Sequence, residues 1–93
     1  MDSIYELAIG QVVMATAGRD RNKFFVVIGI IDDEYVWIAN GRNRTLANPK
    51  KKKIKHLRPT KELLSPIRGK IIDGKPIFDS EIRKALQALG YEE

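Results

Sequence analysis

The sequence predicts a mainly β fold: a small barrel of about five short antiparallel strands, followed by a C-terminal extension that carries one short α-helix. Three observations lead there. Runs of β-branched and aromatic residues recur between Gly10 and Leu57, the clearest being Val12-Val13, Phe24–Ile31 and Tyr35–Ala39. Turn-forming residues separate them at short intervals, at Thr16–Asn22, Asp32–Glu34, Asn40-Gly41 and Asn48-Pro49. Apolar residues at helical spacing over more than one turn occur only near the C-terminus, over 79–89.

Gly10 opens the first strand, Gln11-Val12-Val13-Met14-Ala15, and the polar, glycine-bearing segment Thr16–Asn22 reads as an exposed loop. Phe24–Ile31 is apolar on both alternating faces, which marks the central and most buried strand, and Gly29 within it allows a bend or bulge. Asp32-Asp33-Glu34 closes that strand with a charged turn. Tyr35–Ala39 makes the third strand, and Asn40-Gly41 is the dipeptide best suited to a type I′ hairpin, because both positions tolerate positive φ. Arg42–Leu46 is then expected to return antiparallel. Asn48-Pro49 interrupts the pattern ahead of Lys50–Lys53, and Ile54–Leu57 reads as a last short strand that stops before Pro59.

In the tail, Thr60 is expected to cap one helical turn over 60–64, which Pro66 interrupts. Asp73-Gly74, between Ile71-Ile72 and Ile77-Phe78, reads as the tight turn of a small hairpin with Pro76 on its edge. Asp79-Ser80-Glu81 supplies a cap and an acidic first turn for a helix whose Ile82, Ala85, Leu86 and Leu89 share one face, and Gly90 stops it. A helix this short is marginal alone, so its apolar stripe must dock on the barrel or on a partner. The expected division is a barrel over 1–59 and an extension over 60–93.

The 93 residues suit one domain. With no cysteine, disulfides, thiolate metal sites and cysteine nucleophiles are excluded together. His56 is the single histidine, so neither an imidazole metal cluster nor a histidine acid and base pair can be assembled. Arg68-Gly69-Lys70-Ile71 lacks the upstream glycine and following Ser or Thr of a phosphate-cradling loop, and Asp32, Asp33 and Glu34 sit in one turn without further ligands. No enzymatic activity, cofactor or metal is expected. Met1–Leu7 has no basic segment followed by a long apolar run, and Phe24–Ile31 is far shorter than the roughly 20 residues that cross a bilayer. A soluble cytoplasmic protein with no membrane contact, monomeric when free, is the expectation.

Net charge is +5 and it is concentrated: from Arg19 to Lys61, twelve basic residues face four acids, a surplus of eight. That distribution is the electrostatic footprint of a polyanion binder. Arg19, Arg21 and Lys23 lie in the loop beside Gly18, where guanidinium groups and free amides can follow phosphates; the bland alternative is a solvated hairpin tip. Side chains alternate along a strand, so Lys50, Lys51, Lys52 and Lys53 cannot all share one face; with Lys55 they form either a nucleic-acid contact or a protected sheet edge. Arg42 and Arg44, two apart, share a face and either grip a backbone or pair with Asp32, Asp33 or Glu34. His56 is either structural or a stacking contact. Trp37 either stacks a base or, as a large apolar lid, covers the barrel mouth or receives the C-terminal helix.

Taken together, Gly10-Gln11-Val12-Val13, Ala17-Gly18-Arg19-Asp20, Phe25-Val26-Val27, Asp32-Asp33, Tyr35-Val36, Asn40-Gly41, Pro49–Lys53 and Lys55-His56-Leu57 resemble the KOW family. The stretch looks closest to short bacterial KOW-domain RNA-binding proteins, which are similar to KOW-containing large-subunit ribosomal proteins of archaea and eukaryotes. The resemblance covers Gly10 to Leu57; the segment from Leu63 onward adds little to it. It implies an SH3-like barrel whose first inter-strand loop and neighbouring basic surfaces contact RNA. Carried onto this chain, the loop residues are Gly18, Arg19, Asp20 and Arg21, and the basic strand is Lys50–Lys55 with His56. Where a KOW loop commonly has glycine, this sequence has Asn22, the residue other than glycine that best tolerates left-handed backbone angles.

The function expected is RNA binding through phosphates and shape, with structured ribosomal RNA of the large subunit as the ligand the resemblance adds, and with ribosomal or other translation proteins as neighbours. A rival of another class is a protein-interaction module that docks on translation or transcription machinery, its cations only steering. A duplex-DNA binder is disfavoured because no recognition helix carries the basic residues.

Overall fold

The structure, a computed structural model, describes residues 6–91. The reading of the N-terminus rests largely on residues 1–5, outside those described. Five strands form one antiparallel sheet: β1 (Gln11–Ala15), β2 (Phe24–Ile30), β3 (Tyr35–Ala39), β4 (Lys50–Lys53) and β5 (Leu57–Leu63), in the order β4-β3-β2-β1-β5. As expected, β2 is central. Its register against β3 shifts between Val27 and Gly29, where the glycine lets the strand bulge.

The edge strands β4 and β5 are consecutive in the chain, joined only by a 3₁₀ turn over Ile54–His56. A flat five-stranded sheet would hold its edges about 19 Å apart. Three linking residues span at most about 14 Å from Lys53 to Leu57, so the sheet has to curl into a partly open, SH3-like barrel. The 3₁₀ turn is pinned at both ends, Ile54 N–H donating to Glu34 O at 2.8 Å and Thr16 N–H donating to His56 O at 2.8 Å.

Strand alternation sorts the apolar residues onto two cores. Val13, Ala15, Phe25, Val27, Val36, Ile38, Ile54 and Leu57 fill the barrel. Val12, Val26 and Ala39 face outward, where Ile67, Ile82 and Leu86 cover them. Those last three come from two helices, α1 (Ser65–Ile72) and α2 (Asp79–Ala88), so the extension is the second wall of an outer core. Ala85 and Leu89 pack against the same cluster, and the Tyr91 ring stacks on Phe24 with centroids 4.3 Å apart. Lys70 of α1 donates to Glu81 of α2 and ties the helices together. That ammonium, and then the Phe78 amide, hold the Glu81 carboxyl below its ordinary value.

Expectations for four segments after β3 are corrected. Arg42–Leu46 is not a strand: residues 40–49 form a loop, and the strand that pairs with β3 is Lys50–Lys53. Asn40 organises this loop by accepting from Arg42 N–H and Arg44 N–H, both at 3.0 Å, as an Asx turn does. Gly41 does take positive φ, 76°, but a Cβ there would lie 2.5 Å from Asp79 O. The glycine serves a close approach to α2 instead of a two-residue hairpin.

Second, Ile54–His56 is 3₁₀ rather than strand, and β5 runs straight through Pro59, which faces Val13 in register. Proline is tolerated because β5 is an edge strand with no neighbour beyond it to receive an N–H. Third, Thr60–Leu64 is not a helical turn: Thr60 Oγ1 donates to Val12 O at 2.8 Å across the irregular part of the β1–β5 ladder. Fourth, Pro66 begins a helix where interruption was expected, since its missing N–H costs nothing in the first turn. Asp73-Gly74 then ends α1, with Gly74 at φ 70°, so the described part of the extension has two helices and no hairpin, where one helix and a hairpin were expected. The helix expected over 79–89 is α2, with Phe78 at its N-cap and Asp79 already inside it.

Candidate nucleic-acid interface

Antiparallel order places the β1–β2 and β3–β4 connections at the same end of the barrel. The first, residues 16–23, closes through Asn22 N–H to Ala15 O at 2.8 Å and Ala15 N–H to Lys23 O at 3.0 Å. Gly18 (φ 83°) and Asn22 (φ 68°) both occupy the left-handed region, so Asn22 supplies the backbone shape for which KOW loops commonly use glycine.

This loop is braced from inside. Asp20 is 3% exposed, and its carboxylate accepts from Arg44 Nη2 at 3.1 Å and Arg44 Nε at 3.3 Å. Lys52 is 9% exposed and reaches across from β4 to donate from Nζ to Ala17 O at 2.8 Å. A buried ammonium needs such a partner, and the carbonyl gains one that solvent no longer provides. The bond from Thr16 N–H to His56 O fixes the start of the loop to the 3₁₀ turn.

The candidate cations therefore divide by what they touch. Arg44 and Lys52 belong to the frame, and Arg44 pairs with Asp20 rather than with Asp32, Asp33 or Glu34. Arg19 and Arg21 are exposed in the loop that the frame holds, and Lys23 lies half-buried at its base. Arg42 is exposed in the neighbouring loop at the same end, Lys55 is exposed on the 3₁₀ turn, and His56 is half-buried there. Lys50 is half-buried where β4 begins, opposite Ile38.

Lys51 and Lys53 are not part of this end cluster. They share the outer face of β3 and β4 with Tyr35 and Trp37, and both ammonium groups lie over the Tyr35 ring, at 4.5 and 5.9 Å from its centroid. Trp37 is 38% exposed on that face, beyond Ala39 and the helices that cover it, and is not a lid over the barrel mouth. The anchoring role of Lys52 and the Tyr35 platform were both missed in the sequence. Strand alternation gave a signal, since Lys52 and Lys51 must face opposite ways.

Among the described residues no group of three or more His, Asp or Glu side chains is placed to hold a metal ion. No helix among them is long and apolar enough to cross a membrane.

No family model matches the chain. Curated relatives do. Large ribosomal subunit protein eL14 of Desulfurococcus amylolyticus is 31% identical over 80 residues, 86% of this chain and 76% of that protein. The protein of the same name from Pyrobaculum islandicum is 32% identical over 85 residues, covering 91% and 76%. That of Staphylothermus marinus is 25% identical over 87 residues, covering 94% and 83%. Alignments of this length reach past Leu57 into the extension. Identity above 30% across nearly the whole chain, on a five-stranded antiparallel barrel with its two covering helices, makes this protein a member of the large ribosomal subunit protein eL14 family.

Proposed function

We propose that this protein is a non-catalytic RNA-binding component of the ribosome, seated on structured ribosomal RNA of the large subunit in the cytoplasm. The observation that carries the proposal is the braced loop. Arg19 and Arg21 project from a segment whose backbone is fixed by Lys52, Arg44 and His56, so little ordering entropy is lost when they meet phosphates. Arg42 extends the same positive end from the neighbouring loop, Lys55 is exposed on the 3₁₀ turn whose His56 carbonyl holds Thr16, and the family likeness supplies the ligand class. Lysines and arginines directed at phosphates give charge and position with little base identity, so recognition is of backbone and shape. The barrel and the extension act as one unit, since the outer core joins them.

The test is binding to purified large-subunit ribosomal RNA across a salt series. Log affinity falls linearly with log salt, and the double variant Arg19→Ala, Arg21→Ala lowers the slope by about two, one for each phosphate that is no longer neutralised. Binding that persists unchanged at about 0.5 M salt, or a double variant with the parent's slope, rejects this reading in favour of a protein-interaction module.

A further inference from the structure

We infer that the outer face of β3 and β4 is a second RNA subsite, in which Trp37 stacks an unpaired base while Lys51 and Lys53 hold the adjoining phosphates. This rests on the RNA-binding reading above and adds to it a different substrate feature, single-stranded nucleotides in place of a phosphate surface.

Four observations converge. Trp37 is 38% exposed in the middle of a strand, where the residues beside it, Val36 and Ile38, are fully buried. Its indole packs over Gly29, for a Cβ at that position would lie 3.1 Å from Trp37 Cδ1. The glycine makes room for the ring on the sheet, and the bulge at Val27 to Gly29 is the distortion that brings Gly29 opposite Trp37. Lys51 is the direct cross-strand neighbour of Trp37, yet its ammonium leans along the sheet to the Tyr35 ring, 4.5 Å from the centroid. Tyr35 is thus capped by cations, and Trp37 is the aromatic surface left for a ligand.

Charge decides the occupant. A protein partner would be served by an apolar rim, but the rim on the β4 side is a sheet edge with two ammonium groups on this face. A base on the indole with its phosphates over the edge strand meets both requirements of single-strand binding, a stacking platform and an adjacent positive track. At the other end the turn Asp32-Asp33-Glu34 limits the track: Asp32 is occupied with the Glu34 and Tyr35 amides at 2.8 Å, and Asp33 and Glu34 repel phosphate. The track therefore ends at Lys53, which pairs with Tyr35 directly beside that turn, while Lys51, opposite Trp37, lies farther from those acids.

Trp37 is the single tryptophan, so its emission reports this face alone. Full-length protein is titrated with single-stranded oligoadenylate and, separately, with a blunt adenylate–uridylate RNA duplex of equal length. The single strand is expected to quench and shift the emission, and the duplex to bind in low salt without doing so. In anisotropy with labelled oligoadenylate, Trp37→Ala weakens binding by on the order of ten-fold or more, Trp37→Phe recovers most of it, and both leave duplex affinity and the circular dichroism spectrum unchanged. Single-strand binding that leaves the emission and the Trp37→Ala affinity unmoved, while still depending on Arg19 and Arg21, overturns the stacking site and leaves the phosphate-binding reading in place. Failure of both RNAs to bind overturns both. Emission that responds to a ribosomal protein and to neither RNA assigns the face to a protein neighbour.

Discussion

The loops 16–23 and 40–48 leave the same end of the barrel; each carries one glycine and two arginines, with one asparagine in the first and three in the second. They are held in opposite ways. The first is braced from beneath, by Lys52 at Ala17 and by Arg44 at Asp20, and its own arginines stay in solvent. The second is fastened to α2: Arg83 Nη1 donates to Gly41 O at 2.7 Å, and Asp79 Oδ1 accepts from Leu46 N–H at 2.8 Å. Composition makes the two loops look equivalent, and the acceptor each cation finds makes them different. A guanidinium or ammonium that meets a buried carboxylate or a main-chain carbonyl is part of the scaffold, whereas one of the same type left in solvent is available to a ligand.

The largest effect that tests this contrast is expected from Gly41→Ala. The substitution asks alanine to hold φ at 76° and sets its Cβ 2.5 Å from Asp79 O, main chain that cannot rotate away. A loss of about 3 kcal/mol or more in urea unfolding is the expected outcome, combining left-handed strain with displacement of α2. Gly18→Ala in the other loop has the same φ penalty, but the atom it crowds is only the Lys52 Nζ at 3.2 Å, the movable tip of a side chain. It should cost clearly less. Equal losses at the two glycines would mean that the second loop is not seated tightly on the helix.

Next comes Arg44→Ala, which strands the Asp20 carboxylate in a site where its side chain is 5% exposed. Breaking a fully buried pair costs about 3–5 kcal/mol, and the 28% exposure of Arg44 lowers the expectation to about 2 kcal/mol. Adding Asp20→Asn to Arg44→Ala should restore part of that loss, because the uncompensated charge is gone. Additive losses in the double variant would show that the two groups do not act as a pair.

These residues also mark where the sequence was legible. β1, β2 and β3 were readable because β-branched residues alternate between clear turns, and α2 because Ile82, Ala85, Leu86 and Leu89 repeat at helical spacing. The loop shape at Asn22 was readable because the KOW resemblance expects glycine there and asparagine best tolerates the same backbone angles. Asn40-Gly41 misled because a dipeptide suited to a hairpin is equally suited to an Asx turn pressed against a helix, and the choice is made by Asp79 and Arg83, about 40 residues away in sequence. Pro59 and Pro66 misled for a related reason: proline stops an element only where a neighbour needs its N–H, and neither an edge strand nor a first helical turn does. Within the candidate site, the positive charge was visible and its division was not. No local pattern says which lysine of four identical neighbours will find a carbonyl, although alternation says that adjacent ones must differ.

The smallest effects therefore give the sharpest comparison, between Lys52→Met and Lys51→Met. Methionine keeps an unbranched apolar chain in each case and removes only the ammonium. At Lys52 the Ala17 carbonyl loses its donor, so stability should fall by about 1 kcal/mol, with faster amide exchange in residues 16–23. At Lys51 the change in stability should stay within about 0.5 kcal/mol, since the cation over Tyr35 is on an exposed face. Binding to ribosomal RNA should invert the order. Lys52→Met loosens the loop without removing a phosphate contact, so affinity drops while the salt slope keeps the parent value. Lys51→Met removes a cation of the proposed subsite, so the slope should fall by about one. If Lys52→Met lowered the slope and left loop exchange unchanged, Lys52 would be a ligand contact like its neighbours, and the separation of scaffold from surface within this strand would fail.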